Sequence, residues 1–220
     1  MIPNLVQHST YRILFVCTGG VCRSAFAEIL ARHLLRERLG VVNASRFIVA
    51  SAGTEAVPGA TMHPFTRAEL ARWGMAGVAG EFSARTLDAD TVAGADLVLT
   101  AERQHRKLAV ELQPSALRTT FCLRELVRLL EGVGPRTLPD DPVERARAAA
   151  AAARRLRGTS RYVSPEEDAI PDPITLGPAA HRDAARMIAE SLRHFVALLG
   201  SSRNTRRTLS NRIPRIDSIR

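Results

Sequence analysis

The stretch Ile13-Leu-Phe-Val-Cys17-Thr-Gly-Gly-Val-Cys22-Arg23-Ser24 constrains this chain more than any other part of it. Ile13 to Val16 are all apolar and stop at a cysteine and a glycine pair, the pattern of a buried parallel strand running into a turn. From Ser24 onward Phe26, Ile29, Leu30, His33 and Leu34 recur at three- and four-residue steps, which predicts a helix. A strand, a glycine-containing loop and a helix N-terminus, in that order, build an anion site. Successive backbone N–H groups turn inward, and the helix dipole adds positive potential. Cys17 opens the loop and Arg23 closes it. The amides, the dipole and the guanidinium all favour a thiolate at Cys17, and the planar fork of Arg23 suits two oxygens of a tetrahedral oxyanion.

The same Cys-x5-Arg spacing recurs at Cys122-Leu-Arg-Glu-Leu-Val-Arg128. That copy has no glycine, and Leu123, Leu126, Val127 and Leu130 fall at helical spacing. It reads as a core-facing helix beginning at a buried cysteine. Context therefore singles out Cys17.

At 220 residues the chain suits one α/β domain with extensions, and two full domains would be cramped. The formal charge is +9, and Lys107 is the only lysine, so the basic residues are a compositional bias toward arginine. Three cysteines without metal-type spacing make no disulfide framework and fit a reducing cytosol. No apolar stretch approaches membrane-spanning length, and Met1 to Thr10 lacks the pattern of a signal peptide, so a cytoplasmic location is expected.

Beyond the first helix, which ends near Gly40, strands are predicted at Arg46–Ser51, Asp96–Thr100 and Leu117–Phe121. Helices are predicted over Pro64–Trp73, from Glu102–His105 onward, and after Cys122. Short strands alternating with helices call for an α/β fold with a four-stranded parallel sheet covered on both faces, and ligands sit at the C-terminal ends of its strands, where Cys17 falls. Asp141-Pro-Val-Glu144 starts a helix that runs through Ala148 to Ala153 and three arginines to Gly158. Its few large apolar residues suggest a solvated helix; the other reading is a basic lid over the site. A last helix spans Pro178 to Leu199, with Ala184, Ile188, Leu192, Phe195 and Leu199 as its apolar stripe. Ser201 to Arg220 carries six arginines and one aspartate and reads as a disordered basic tail, able to meet an anionic surface but lacking the aromatics of a nucleic-acid-stacking surface.

The segment Val16 to Ser24, with its second cysteine directly before the arginine, resembles the signature of the low-molecular-weight protein tyrosine phosphatases. Ser51-Ala-Gly-Thr54 and Phe82 to Leu87 resemble further segments of that family. The resemblance implies one phosphatase-like domain over residues 1–200, with an insert at about 133–170 and the tail at 201–220. It implies a phosphate-binding loop of Thr18, Gly19, Gly20, Val21, Cys22, Arg23 and Ser24. It implies Cys17 as nucleophile, Arg23 as holder of the phosphoryl group, and an Asp-Pro aspartate as general acid. Asp172, in Ile170-Pro-Asp-Pro-Ile174, fits that motif better than Asp141, which a helix cap explains.

The expected reaction is two-step phosphoryl transfer through a cysteinyl-phosphate, with Ser24 hydrogen-bonding the thiolate and a phosphorylated protein, phosphotyrosine by family default, as substrate. Arg23 and the amides supply the positive charge, so no metal or other cofactor is expected. The histidines at 8, 33, 63, 105, 181 and 194 form no ligand pattern along the chain, and His33 reads as a core residue. Cys17 and Cys22 could form a reversible disulfide if the loop geometry permits, or never pair. Three positions depart from the family. Gly20 replaces an asparagine that braces the loop, Ala25 replaces a proline, and Ile174 replaces an aromatic wall. Two rivals stay open: an arsenate reductase of the same fold, for which Cys122 is the only cysteine outside the loop, and a non-catalytic phosphoanion-binding module.

Overall fold

The computed structural model describes residues 9–159 and 162–200. The residues expected to form the basic tail, and most of Met1 to Thr10, lie outside them. Four strands, β1 (Tyr11–Cys17), β2 (Phe47–Gly53), β3 (Leu97–Thr100) and β4 (Thr120–Cys122), form one sheet in the order β2-β1-β3-β4, with every pairing parallel. The helices are α1 (Arg23–Ala44), α2 (Pro64–Ala71), α3 (Ala76–Gly80), α4 (Ala89–Ala93), α5 (Arg103–Leu112), α6 (Leu123–Leu130), α7 (Pro142–Arg157), α8 (Pro165–Asp168) and α9 (Pro178–Leu199).

Alternation along β1 explains why both faces must be covered. Tyr11, Ile13, Phe15 and Cys17 point into a large core with residues of α1, α6, α7 and α9. Leu14 and Val16 point into a smaller one with Val92 of α4 and Ala109 of α5. The expected stripe of α9 is buried throughout. Gly40, at φ 76°, interrupts α1 where the sequence places the helix end. The fourth strand is shorter than expected, because Pro114–Arg118 forms a 3-10 turn before it.

The expectation of a solvated α7 fails, and so does its reading as a lid. Val143, Ala146, Ala149, Ala150 and Ala153 all lie in the large core. Near its N-terminus Arg147 donates to the Thr10 carbonyl at 2.9 Å, and its cap Asp141 pairs with Arg46, so this end sits at the start of β1 and β2. At its other end Arg157 donates to the Thr120 carbonyl, 2.7 Å away, at the start of β4. The helix therefore crosses beneath the N-terminal edge of the sheet, opposite Cys17. Arg145, itself buried, fixes it by donating to the carbonyls of Leu198, Leu138, Pro139 and Pro135 at 2.5–3.2 Å. Small side chains allow this close approach, which a count of large apolar residues does not register.

Candidate active site

Strand order places the site. The chain leaves β1 toward β2 and leaves β3 toward β4, on opposite sides, so the loops after β1 and β3 part and open a crevice at their C-terminal ends. From β1 comes the loop Cys17–Arg23, and after β3 come Glu102, the cap of α5, and His105 in its first turn.

The loop is held from outside by its carbonyls. Cys17 O accepts from Thr54 N, Thr18 O from Glu55 N, and Val21 O from His63 N, at 2.9–3.1 Å. Among the described residues, none of the backbone N–H groups from Thr18 to Ser24 has an acceptor. Seven consecutive amides without an acceptor, running into the first turn of α1, are the donors an anion nest requires. Gly20 sits at φ 69°, a conformation that glycine adopts without strain. It packs on Gly53, where a Cβ would stand 2.5 Å from both Gly20 N and Thr18 O. In the sequence Gly53 stands only as part of a family-like turn; its role as the floor of the loop shows only in three dimensions.

Cys17, 2% exposed, has its Sγ 3.1 Å from Ser24 Oγ. Arg23, equally buried, donates to the carboxylates of Glu102 and Asp172, to Ile170 O at 3.0 Å and to Thr18 Oγ1 at 3.1 Å. Its Nε is buried with no partner. Asp172 also accepts from Ile174 N at 3.2 Å, which turns its carboxylate toward Arg23. Cys17, Thr18, Gly19, Val21, Cys22, Arg23, Glu55, Asp172 and Ile174 line a cleft of about 150 Å³. The structure thus brings together the loop residues and Asp172, across 149 positions of sequence. The three cysteines are free.

Three participants were not foreseen. Glu102 grips Arg23 from beyond β3, and only the topology reveals it. His105 Nε2 meets Thr18 Oγ1 at 2.9 Å; burial, reinforced by Arg23, lowers its pKa to about 4 and keeps the ring neutral. Asp168, 1% exposed, is clamped by Arg103 at 2.8 Å and Arg128 at 3.0 Å. With Ile170 N donating to Ala101 O at 2.9 Å, that clamp anchors the segment carrying Asp172. His33, expected in the core, is instead half-buried and 3.3 Å from Glu37. Cys122 behaves as its context predicts: it is fully buried at the start of α6, and burial pushes its pKa up to about 11. Burial likewise pushes Cys22 up to about 12.

A parallel sheet with an arginine-closed anion nest around a cysteine defines a class of phosphoryl- or oxyanion-handling enzymes. A family model described as low molecular weight phosphotyrosine protein phosphatase matches residues 12–133, and the chain belongs to that family. The match ends before α7, α8, α9 and Asp172. The protein-arginine-phosphatase of Geobacillus stearothermophilus is 31% identical over 122 residues, 56% of this chain and 75% of that protein. Among solved structures, a YwlE mutant from Bacillus subtilis superposes with a TM-score of 0.61 at 22% identity, covering 86% of this chain and 99% of its own. The Erwinia amylovora tyrosine phosphatase AmsI gives 0.58 at 19% identity, covering 88% and 96%. At those identities the structural likenesses carry the fold. The chain is therefore a hydrolase of phosphorylated protein, and neither the reductase nor the binding-module alternative is favoured. Among the described residues no helix is long and apolar enough to cross a membrane.

Proposed function

We propose that Cys17 attacks the phosphorus of a phosphorylated protein side chain, with Arg23 and the amides of Thr18 to Ser24 holding the equatorial oxygens. What carries this reading is one arrangement: a thiol 3.1 Å from a hydroxyl, ringed by amides without acceptors, with Arg23 touching Asp172. In the first step Cys17 attacks as the thiolate, an S–P bond forms as the bond from phosphorus to the leaving atom breaks, and Asp172, protonated once the phosphoryl group has displaced it from Arg23, gives that atom its proton. In the second, Asp172 takes a proton from water, which attacks phosphorus, and the thiolate departs with the Ser24 hydroxyl donating to it. In the free protein Asp172 occupies Arg23. The incoming phosphoryl group replaces it there and frees it for the leaving atom, while Glu102 keeps the guanidinium fork oriented.

Phosphotyrosine is the reading by family. A second reading, phosphoarginine, draws support from the cleft lining, which contains no aromatic residue but has Glu55 in addition to Asp172, a carboxylate able to meet a guanidinium. The 31%-identical relative is named for that activity. Phosphate release from matched phosphotyrosine and phosphoarginine peptides, in reductant and chelator, tests both. Cys17→Ser should abolish turnover, and Asp172→Ala should lower it about 10²–10⁴-fold on the preferred peptide. Unchanged turnover in Cys17→Ser would overturn the mechanism.

A further inference from the structure

Cys22, His63 and His181 lie far apart in the sequence, yet one ligand atom of each falls within 4.8 Å of the other two. Cys22 comes from the loop, His63 caps α2, and His181 sits in the first turn of α9. The two imidazoles stack, with centroids 4.4 Å apart and planes 16° from parallel. His181 is 2% exposed. Its Nδ1 is 2.9 Å from Thr66 Oγ1, and its Nε2 is buried with no hydrogen-bond partner. The Pro173 carbonyl lies beside the ring without completing a hydrogen bond to Nε2. A buried ring nitrogen without a partner is unfavourable, because its hydration is lost and nothing replaces it. With Thr66 Oγ1 accepting from Nδ1–H the Nε2 lone pair is free, as it is when outer-shell partners orient metal-bound histidines; with the hydroxyl donating instead, metal binding must first move the ring proton to Nδ1.

We propose that Cys22, His63 and His181 form a site for a thiophilic divalent ion of the zinc class, and that filling it switches the phosphatase off. One thiolate and two imidazoles are donors such an ion prefers, and three ligands leave a fourth position for water. Tetrahedral zinc sites place donor atoms about 3.3–3.8 Å apart. The cluster must therefore close by about 1 Å, and the half-buried His63 must also turn out of its stack on His181, because each ring nitrogen donates in the plane of its ring. On binding, a metal–sulfur bond replaces the Cys22 S–H bond, the proton passes to solvent, the imidazoles donate lone pairs, and no electron is transferred. Cys22 directly precedes Arg23, and His181 faces Pro173, next to Asp172. Drawing the three donors together shifts the loop backbone and ties down the acid segment at once. Metal binding itself is independent of the phosphatase reading; the inhibition rests on it.

Cobalt(II) titrated into the full chain, stripped of metal and kept reduced without thiols, tests the site. One equivalent should produce a thiolate-to-cobalt charge-transfer band with the intense visible bands of tetrahedral cobalt. The band should persist in Cys17→Ser and vanish in both His63→Asn and His181→Gln. Asparagine can still cap α2, so His63→Asn should keep metal-free turnover within about twofold. Zinc should displace cobalt, stop turnover in proportion to occupancy, and be reversed by chelator, with its inhibitory midpoint raised at least about tenfold in His63→Asn. A band lost in Cys17→Ser but kept in His63→Asn would put the metal on the nucleophile and overturn the proposal, as would no thiolate band at stoichiometric cobalt. The cobalt spectrum reports the site even if the protein turns over no substrate, so failure of the site and failure of the phosphatase reading are distinguishable.

Discussion

At Gly53 the loop backbone passes so close that a methyl group has no room: its nearest neighbours at 2.5 Å are backbone atoms, which cannot swing aside. Gly53→Ala should push the loop off β2, costing about 1–3 kcal/mol by overpacking and about 10²-fold in turnover by displacing the nest. Denaturant midpoints and phosphate release on the same preparation check both. His105 makes a different prediction. Its folded pKa, about 4, lies below the unfolded value of about 6.5, so the unfolded chain binds the extra proton between them. The stability that the neutral ring contributes is complete above pH 6.5 and lost as pH falls toward 4, a change on the order of 2–3 kcal/mol. His181 is shifted in the same direction. Glutamine keeps a group able to bond Thr18, so the fall between pH 6.5 and 4 should be shallower in His105→Gln; an unfolding profile parallel to that of the unsubstituted protein would contradict this.

Elements set which of these residues meet. β1, its loop and α1 were legible because the pattern is local: an apolar run, two glycines and an amphipathic repeat within about thirty residues. The final helix matched in both bounds, since Pro178 and Gly200 punctuate it. Glu102, His105 and Asp168 were not legible as site residues, because each acts on a partner from another element: the pairing of β1 with β3 brings the first two to the loop, and the packing of α8 on α6 brings the third to its arginines. The arginines of α7 also misled. Their charge suggested a basic lid, but Arg145 spends its donors on four backbone carbonyls and Arg157 lies over the ring of Phe121 at 4.0 Å. The clamp on Asp168 yields the prediction at this scale. Asp168→Asn removes a buried charge shared by two arginines, which should loosen the segment leading to Asp172. Steady-state kinetics should show kcat lowered about tenfold or more with KM changed far less, because the acid acts in the transition state. Equal losses in both would mean that the clamp serves substrate binding instead.

In the whole molecule, strand order divides the work between the two edges of the sheet. The C-terminal edge, at the parting of β1 and β3, carries Cys17, Arg23 and Asp172, the proposed nucleophile, phosphoryl holder and acid. The N-terminal edge carries α7 and the buried Arg145, away from the cleft. The family match stops at residue 133, so the acid rests on geometry and on the Asp-Pro motif. The account requires phosphorus to be bonded to Cys17 during turnover. Asp172→Ala, mixed with p-nitrophenyl phosphate and quenched in acid, should accumulate that species: the leaving group needs little help from an acid, while hydrolysis has lost its base. Mass spectrometry of the digested protein should find one phosphoryl group, on the peptide containing Cys17 and absent from Cys17→Ser. A phosphoryl group on any other residue, or continued turnover with none on Cys17, would contradict the account.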